Sequence, residues 1–202
     1  MGRKIVVTSG KGGVGKTTLT ASLGIAIAET GKKVVLVDAD IGLNNLDVVL
    51  AVENKVVYDV LDVISGKCRL KQALIQDVDN PTLYVLPSAK IQDSPLITAC
   101  SFRNVVDALA LNFDFVIIDC PAGIDNGFHR AVSAATEAIV VTTPHISAVR
   151  DADKVLSILS GYCLMSVGLV VNRVRGDMVS KGEMMSAGDI VRAVRCEPVG
   201  VI

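Results

Sequence analysis

The segment Gly10-Lys11-Gly12-Gly13-Val14-Gly15-Lys16-Thr17-Thr18 packs glycines, lysines and hydroxyls together in a way suited to holding phosphate. Gly10, Gly15, Lys16 and Thr17 complete the pattern of glycine, four residues, then Gly-Lys-Ser/Thr. Gly10, Gly12, Gly13 and Gly15 remove side chains that would block backbone N–H groups from converging on phosphate oxygens. A helix beginning at Lys16 would add the positive end of its dipole beneath them. Lys16 would then reach the β and γ oxygens, and the Thr17 hydroxyl would ligate Mg²⁺. Lys11 is a second lysine that this general pattern does not require.

Two acidic positions belong to the same chemistry. The apolar run Val34 to Val37 leads into Asp38-Ala39-Asp40, and Phe115 to Ile118 leads into Asp119. Open α/β sheets bind ligands at the carboxyl ends of their strands. Mg²⁺ keeps several waters and uses few carboxylates, so Asp38 and Asp119 are candidates to hold those waters, with Asp119 at a Walker B type of position. Asp40 lies two residues beyond Asp38 on the same side of an extended chain. It either orients or deprotonates a water attacking the γ-phosphate, or caps the next segment, and spacing alone leaves both roles open.

These residues need a scaffold. Lys4 to Thr8 is a β-branched run long enough for a buried strand, and Thr17 to Thr30 is an apolar helical stretch with Gly31 where a helix would end. Further apolar runs at Val34 to Val37, Leu83 to Leu86, Phe115 to Ile118, Ala138 to Thr142 and Val167 to Val171 alternate with helical patterns. The alternation predicts an α/β fold of the P-loop NTPase type, a mostly parallel sheet with helices on both faces. Helical spacing is clear in Val57, Val60, Leu61 and Ile64, ending at Gly66, and in Phe102, Val105, Val106 and Leu109. Ser147 reads as the N-cap of a helix that buries Ala152, Val155, Leu156 and Leu159 and leaves Arg150, Asp151, Asp153 and Lys154 mostly outward. Arg175 to Gly188, polar and glycine-containing, reads as a mobile loop.

Length and composition fit one domain over residues 1–202, since half of the residues are apolar. Pro198 to Ile202 reads as the start of another strand, so a terminal portion is expected to be missing after it. The 20 basic and 21 acidic residues give no bulk electrostatic case for nucleic acid or an anionic membrane. The five cysteines form no C-x-x-C pair, which argues against a metal ribbon or disulfide framework and fits reduced thiols in the cytoplasm. The apolar stretch behind Arg3 and Lys4 is too short for a signal peptide.

With Lys11 ahead of Gly12-Gly13-Val14-Gly15-Lys16-Thr17, the loop resembles the deviant Walker A loop of the MinD/ParA ATPases. Three more stretches resemble the septum-site-determining branch of that family: Asp38-Ala39-Asp40-Ile41-Gly42-Leu43-Asn44-Asn45-Leu46-Asp47, Asp119-Cys120-Pro121-Ala122-Gly123-Ile124 and Val149-Arg150-Asp151-Ala152-Asp153-Lys154. The resemblance implies an ATPase of cell-division site selection that uses ATP and Mg²⁺ and forms a homodimer on ATP, with Lys11 reaching the nucleotide of the opposite subunit. It also implies that Lys16 contacts the β and γ phosphates, Thr18 the α-phosphate, and that Asp40 positions water. Asn172 matches the family's adenine-reading residue, with Arg173 beside it. The switch regions map to Asp38 to Asp47 and Asp119 to Asp125. The helix carrying Arg150, Asp151, Asp153 and Lys154 maps to the surface for division-inhibitor and topological-specificity proteins. Family members are cytoplasmic and sit peripherally on the inner face of the cell membrane through a C-terminal amphipathic helix. No stretch near the end of this chain has that character, so membrane binding is expected only where such a helix is present.

Some positions depart from the family's pattern: Cys120 replaces the usual Ser, Asp125 the usual Glu, and His145 a common Glu. A ParA-type partition or other positioning ATPase is the alternative, but near-neutral charge gives little to neutralise DNA phosphates, and no nucleic acid is expected. A cluster-bearing electron-transfer ATPase needs paired subunit cysteines, and the surroundings of Cys100 and Cys120 do not match that type. A non-hydrolysing scaffold ranks lower because the motifs for hydrolysis are intact.

Overall fold

The computed structural model describes residues 1–42, 45–90 and 94–202. The chain begins with β1 (Arg3–Thr8), α1 (Lys16–Glu29), β2 (Val34–Asp38) and α2 (Asn45–Val49). Two short helices follow, α3 (Val60–Ile64) and α4 (Leu70–Ala73), then β3 (Ile75–Gln76) and β4 (Leu83–Leu86). Next come α5 (Ala99–Ala110), β5 (Phe115–Asp119), α6 (Asn126–Ala134), β6 (Glu137–Thr142) and α7 (Ile146–Leu159). The last elements are β7 (Ser166–Val171), α8 (Gly176–Ser180), α9 (Ala187–Val194) and β8 (Pro198–Val201).

The strands form one sheet in the order β3-β4-β2-β5-β1-β6-β7-β8, parallel except for the short β3 against β4. Alternation along each strand sorts its side chains to two faces. Val34 and Leu36 of β2 join the cluster with Ala21 and Ala28 of α1, whereas Val35 and Val37 join Phe102 of α5, Phe128 of α6 and Val155 of α7. A sheet covered on both faces explains why its strands read as continuous apolar runs rather than alternating ones. Gly24 lets α1 approach closely: a methyl group there would meet Leu36 Cδ2 at 2.6 Å.

Several local expectations shift. Val57 is exposed and lies ahead of α3, because the Asp59 side chain accepts the Leu61 and Asp62 N–H groups and starts the helix at Val60. Ser147 is not the N-cap of α7. His145 occupies that position, and Ser147 lies inside the first turn. The polar segment 175–188 is partly helical: it contains α8, and α9 starts at Ala187 behind the capping box of Ser186 and Asp189. β8 does form, parallel to β7. Leu43 and Asn44, part of the family-like stretch after Asp38, lie outside the described residues.

Candidate nucleotide site

β1 is the central strand, between β5 and β6, and the glycine loop leaves its carboxyl end. Gly13 and Gly15 hold φ of 75° and 99°, a region that side chains disfavour, and Gly15 is the residue on which α1 starts. Space forbids a side chain at Gly15 as well. A methyl group there would collide with the Asn172 side chain, whose Nδ2 donates to the Val14 carbonyl at 2.8 Å. Asn172 Oδ1 accepts the Arg173 N–H at 2.8 Å, and Arg173 takes a left-handed φ of 63°. The end of β7 thus clamps the loop. An amide has two donors and two acceptor sites, so one of each remains for a ligand.

A cleft of about 490 Å³ opens over the loop. Gly12, Gly13, Gly15, Lys16, Thr17 and Thr18 line it together with Asp40, Asn45, Val48, Val49, Cys120 and Ala122, which follow β2 and β5 on one side of β1, and Arg173, which follows β7 on the other. Lys16 is only 8% exposed and stands at the first position of α1. Backbone N–H groups at that helix end and the ammonium make a local positive site for phosphate.

The acidic wall is set by register: Asp38 and Asp119 are paired residues at the carboxyl ends of β2 and β5. They are 1% and 2% exposed, so two carboxyl groups stand side by side away from water. Burial pushes Asp38 up to about 7, against hydrogen bonds from the Asp40 and Leu46 N–H groups, with the Asp119 charge adding to the rise. Burial likewise pushes Asp119 up to about 6, with Thr17, Lys16 and Thr20 opposing. Thr20 Oγ1 donates to Asp119 Oδ1 at 3.3 Å. Asp40 is half-buried, and burial raises its carboxyl against the charge of Lys16. Anions destabilised in this way fit a divalent cation held through water, with Thr17 alongside.

Thr20 was not visible as a site residue in the sequence. It lies one turn beyond Lys16, and that i, i+4 spacing is the signal that could have found it. Lys11, by contrast, does not line the cleft of its own chain. Its Nζ lies 3.3 Å from Ser147 Oγ in the first turn of α7, and His145 Nδ1 is 3.1 Å from the same oxygen. Ser9 Oγ donates to the Lys11 carbonyl at 2.7 Å and fixes the backbone there.

α7 also touches the loop directly. A methyl group on Gly10 would collide with the Asp151 carbonyl oxygen, so loop and helix pack backbone to backbone. Arg150, Asp153 and Lys154 are exposed on α7 as expected, whereas Asp151 is half-buried because its carbonyl and Cβ face Gly10, with its carboxylate 3.8 Å from Lys154 Nζ. Cys120 is buried and its thiol is pushed by burial up to about 12, whereas Cys100 is exposed on α5. Among the described residues no cluster of His, Cys, Asp or Glu is arranged to hold a metal ion by itself.

A family model described as an AAA domain matches residues 2–161. The chain is 50% identical over its full length to a putative septum site-determining protein MinD of Guillardia theta and covers 75% of that protein. It is 48% identical to the septum site-determining protein MinD of Bacillus subtilis, again over its full length and 76% of the relative. Among solved structures, it superposes with a TM-score of 0.90 on a MinC:MinD cell division protein complex of Aquifex aeolicus, at 43% identity, covering 99% of this chain and 80% of that one. The MinD of Pyrococcus horikoshii complexed with Mg-ADP matches with a TM-score of 0.87 at 34% identity, covering 100% of this chain and 81% of that one. Sheet order, phosphate loop and these relatives agree: the chain belongs to the MinD family of septum site-determining ATPases.

Proposed function

We propose that this chain binds MgATP in the cleft over Gly10 to Thr18, hydrolyses it as a pair of subunits, and uses the pairing to present α7 to a division-inhibitor protein. The observation that carries the reading is the contrast between the two loop lysines. Lys16 is buried at the cleft floor, while Lys11 reaches out of its own cleft to α7. A lysine placed this way is available to a nucleotide held by a second copy. There it would do what an arginine finger does, offsetting charge on the γ-phosphate as the bond to it breaks.

Within one subunit the roles follow from position. Backbone N–H groups of the loop and the Lys16 ammonium hold the β and γ phosphates, and Thr18 stands where the α-phosphate would lie. Asp40, at the rim of the cleft, orients the attacking water and takes its proton. Thr17, Asp38 and Asp119 would hold Mg²⁺, directly or through water, and the ion would neutralise phosphate charge during transfer. Asn172 and Arg173 flank the loop where the base would sit.

The resemblance to MinD of a MinC:MinD complex supports a division inhibitor as partner, and the reading assigns that partner the α7 surface of Arg150, Asp151, Asp153 and Lys154. We place the protein in the cytoplasm, with attachment to the inner face of the membrane depending on a C-terminal amphipathic helix. Turnover measured against protein concentration tests the reading. Hydrolysis per subunit is expected to rise with concentration as sedimentation shows a dimer forming with ATP and not with ADP. A rate per subunit independent of concentration, from a species that sediments as a monomer, overturns it.

A further inference from the structure

At the opposite end of the sheet from the phosphate loop, a groove of about 420 Å³ lies between α4 and the carboxyl end of α5. Its walls are Leu70, Leu74, Tyr84, Leu109 and Phe113. Tyr84 and Phe113 meet edge to face, with ring centroids 5.3 Å apart, a favoured aromatic pairing. Leu70, Leu74, Tyr84 and Phe113 are only partly buried although they pack on the core, which leaves apolar surface facing the groove.

The charged residues that line the groove have one sign, and the neighbouring Asp114 carboxylate accepts the Lys33 N–H at 2.9 Å. Lys33 and Lys71 line the groove, no acidic residue does, and neither lysine forms an ion pair among the described residues. The end of α5 does not offset them. The Ala108, Leu109 and Ala110 carbonyls, which would carry the negative end of the helix dipole, already accept hydrogen bonds from Asn112 Nδ2, the Asn112 and Phe113 N–H groups, and the Gly2 N–H. Concave, mostly apolar walls with a few charged groups of one sign are the usual make-up of a small-molecule site, and the volume lies within the range of such sites.

We infer that this groove binds a small amphipathic carboxylate, an aromatic or acyl body bearing one acid group, with the body against Tyr84 and Phe113 and the acid between Lys33 and Lys71. The site is separate from the nucleotide cleft, since Lys33 and Phe113 precede β2 and β5 while the phosphate loop follows β1. Occupancy therefore does not compete with nucleotide.

Titration of the protein with 3-(4-fluorophenyl)propanoate, followed by ¹⁹F NMR with and without MgATP, tests this. Saturable binding is expected, unchanged by MgATP, with the uncharged amide of the same compound at least about tenfold weaker. The double variant Lys33→Gln/Lys71→Gln changes two exposed side chains and is expected to keep nucleotide binding while losing the acid about tenfold or more. Tyr84→Ala should weaken acid and amide alike. Equal binding of acid and amide, full binding to the double variant, displacement by MgATP, or no saturable binding would each overturn the inference.

Discussion

At the scale of single residues, the buried carboxyl pair governs how the site responds to pH. Asp38 and Asp119 have folded pKa values of about 7 and about 6, well above the ordinary 3.8 of an aspartate. The folded state therefore keeps protons that the unfolded chain gives up, and stability falls as pH rises through the interval between those values. Asp62, Glu137 and Asp189 shift the other way, held down mainly by hydrogen bonds from Lys67, Arg3 and Ser186 respectively, and their contribution is already complete above about pH 5. Without Mg²⁺, the melting temperature is expected to drop between pH 5 and pH 7, by an amount equivalent to roughly 2 kcal/mol, and Asp38→Asn should flatten the drop. Differential scanning calorimetry across that interval checks it, and a rising melting temperature would contradict the burial argument. Lys16→Ala should abolish measurable ATP binding, because phosphate charge loses its closest cation. Asp40→Ala should keep ATP and lower turnover by about 10² to 10⁴ fold, the usual range for losing a general base, while dimer accumulates. Cys120, 1% exposed, should resist thiol reagents at pH 8 that label Cys100 and Cys163, and should react only after unfolding.

At the scale of elements, the loop is held by two neighbours in its turn: the end of β7 through Asn172, and α7 through the contact of Gly10 with Asp151. Gly10→Ala should push α7 away from the loop. Overpacking of this kind costs about 1–3 kcal/mol, and a thermal melt should show the loss together with weaker binding of the partner protein. Local sequence was enough for β1, the loop and α1, since glycines, lysine and an apolar helical stretch follow one another without a break. It was enough for Asp38 and Asp119 because each ends an apolar run. It was not enough for the contact of Lys11 with Ser147, which joins residues 136 apart and depends on β6 lying beside β1. β3 escaped notice for a similar reason: two residues carry no periodicity, and Ile75 and Gln76 become a strand only by pairing with Val85 and Tyr84. In the polar segment 175–188, composition argued for loop, yet α8 forms there, with the Ser180 hydroxyl donating to the Asp177 carbonyl one turn back.

At the scale of the whole molecule, the carboxyl ends of the strands gather the phosphate loop, the acidic wall and the first turn of α7 on one side. Exposed Val48, Val49, Ile124 and Ile146 belong to α2, the β5–α6 connection and α7 on that same side, an apolar rim suited to being covered. On this side the Lys11 side chain is tied to α7 rather than to its own cleft, which suits it to link nucleotide to pairing. Lys11→Ala removes the ammonium and leaves Lys16 and the glycines in place. Its affinity for MgATP should stay within about threefold of the parent, because the cleft of one subunit does not include that side chain. Dimerisation with ATP should weaken at least about tenfold, since a charge contact to the partner's γ-phosphate, desolvated on pairing, is worth on the order of 1.5 kcal/mol or more. Sedimentation velocity at a series of concentrations, with ATP and with the Asp40→Ala background to prevent turnover, separates the two quantities. Normal pairing of the Lys11→Ala protein would mean that the lysine serves only its own chain, through Ser147, and the link between nucleotide and partner surface would then have to run through Gly10 and Asp151.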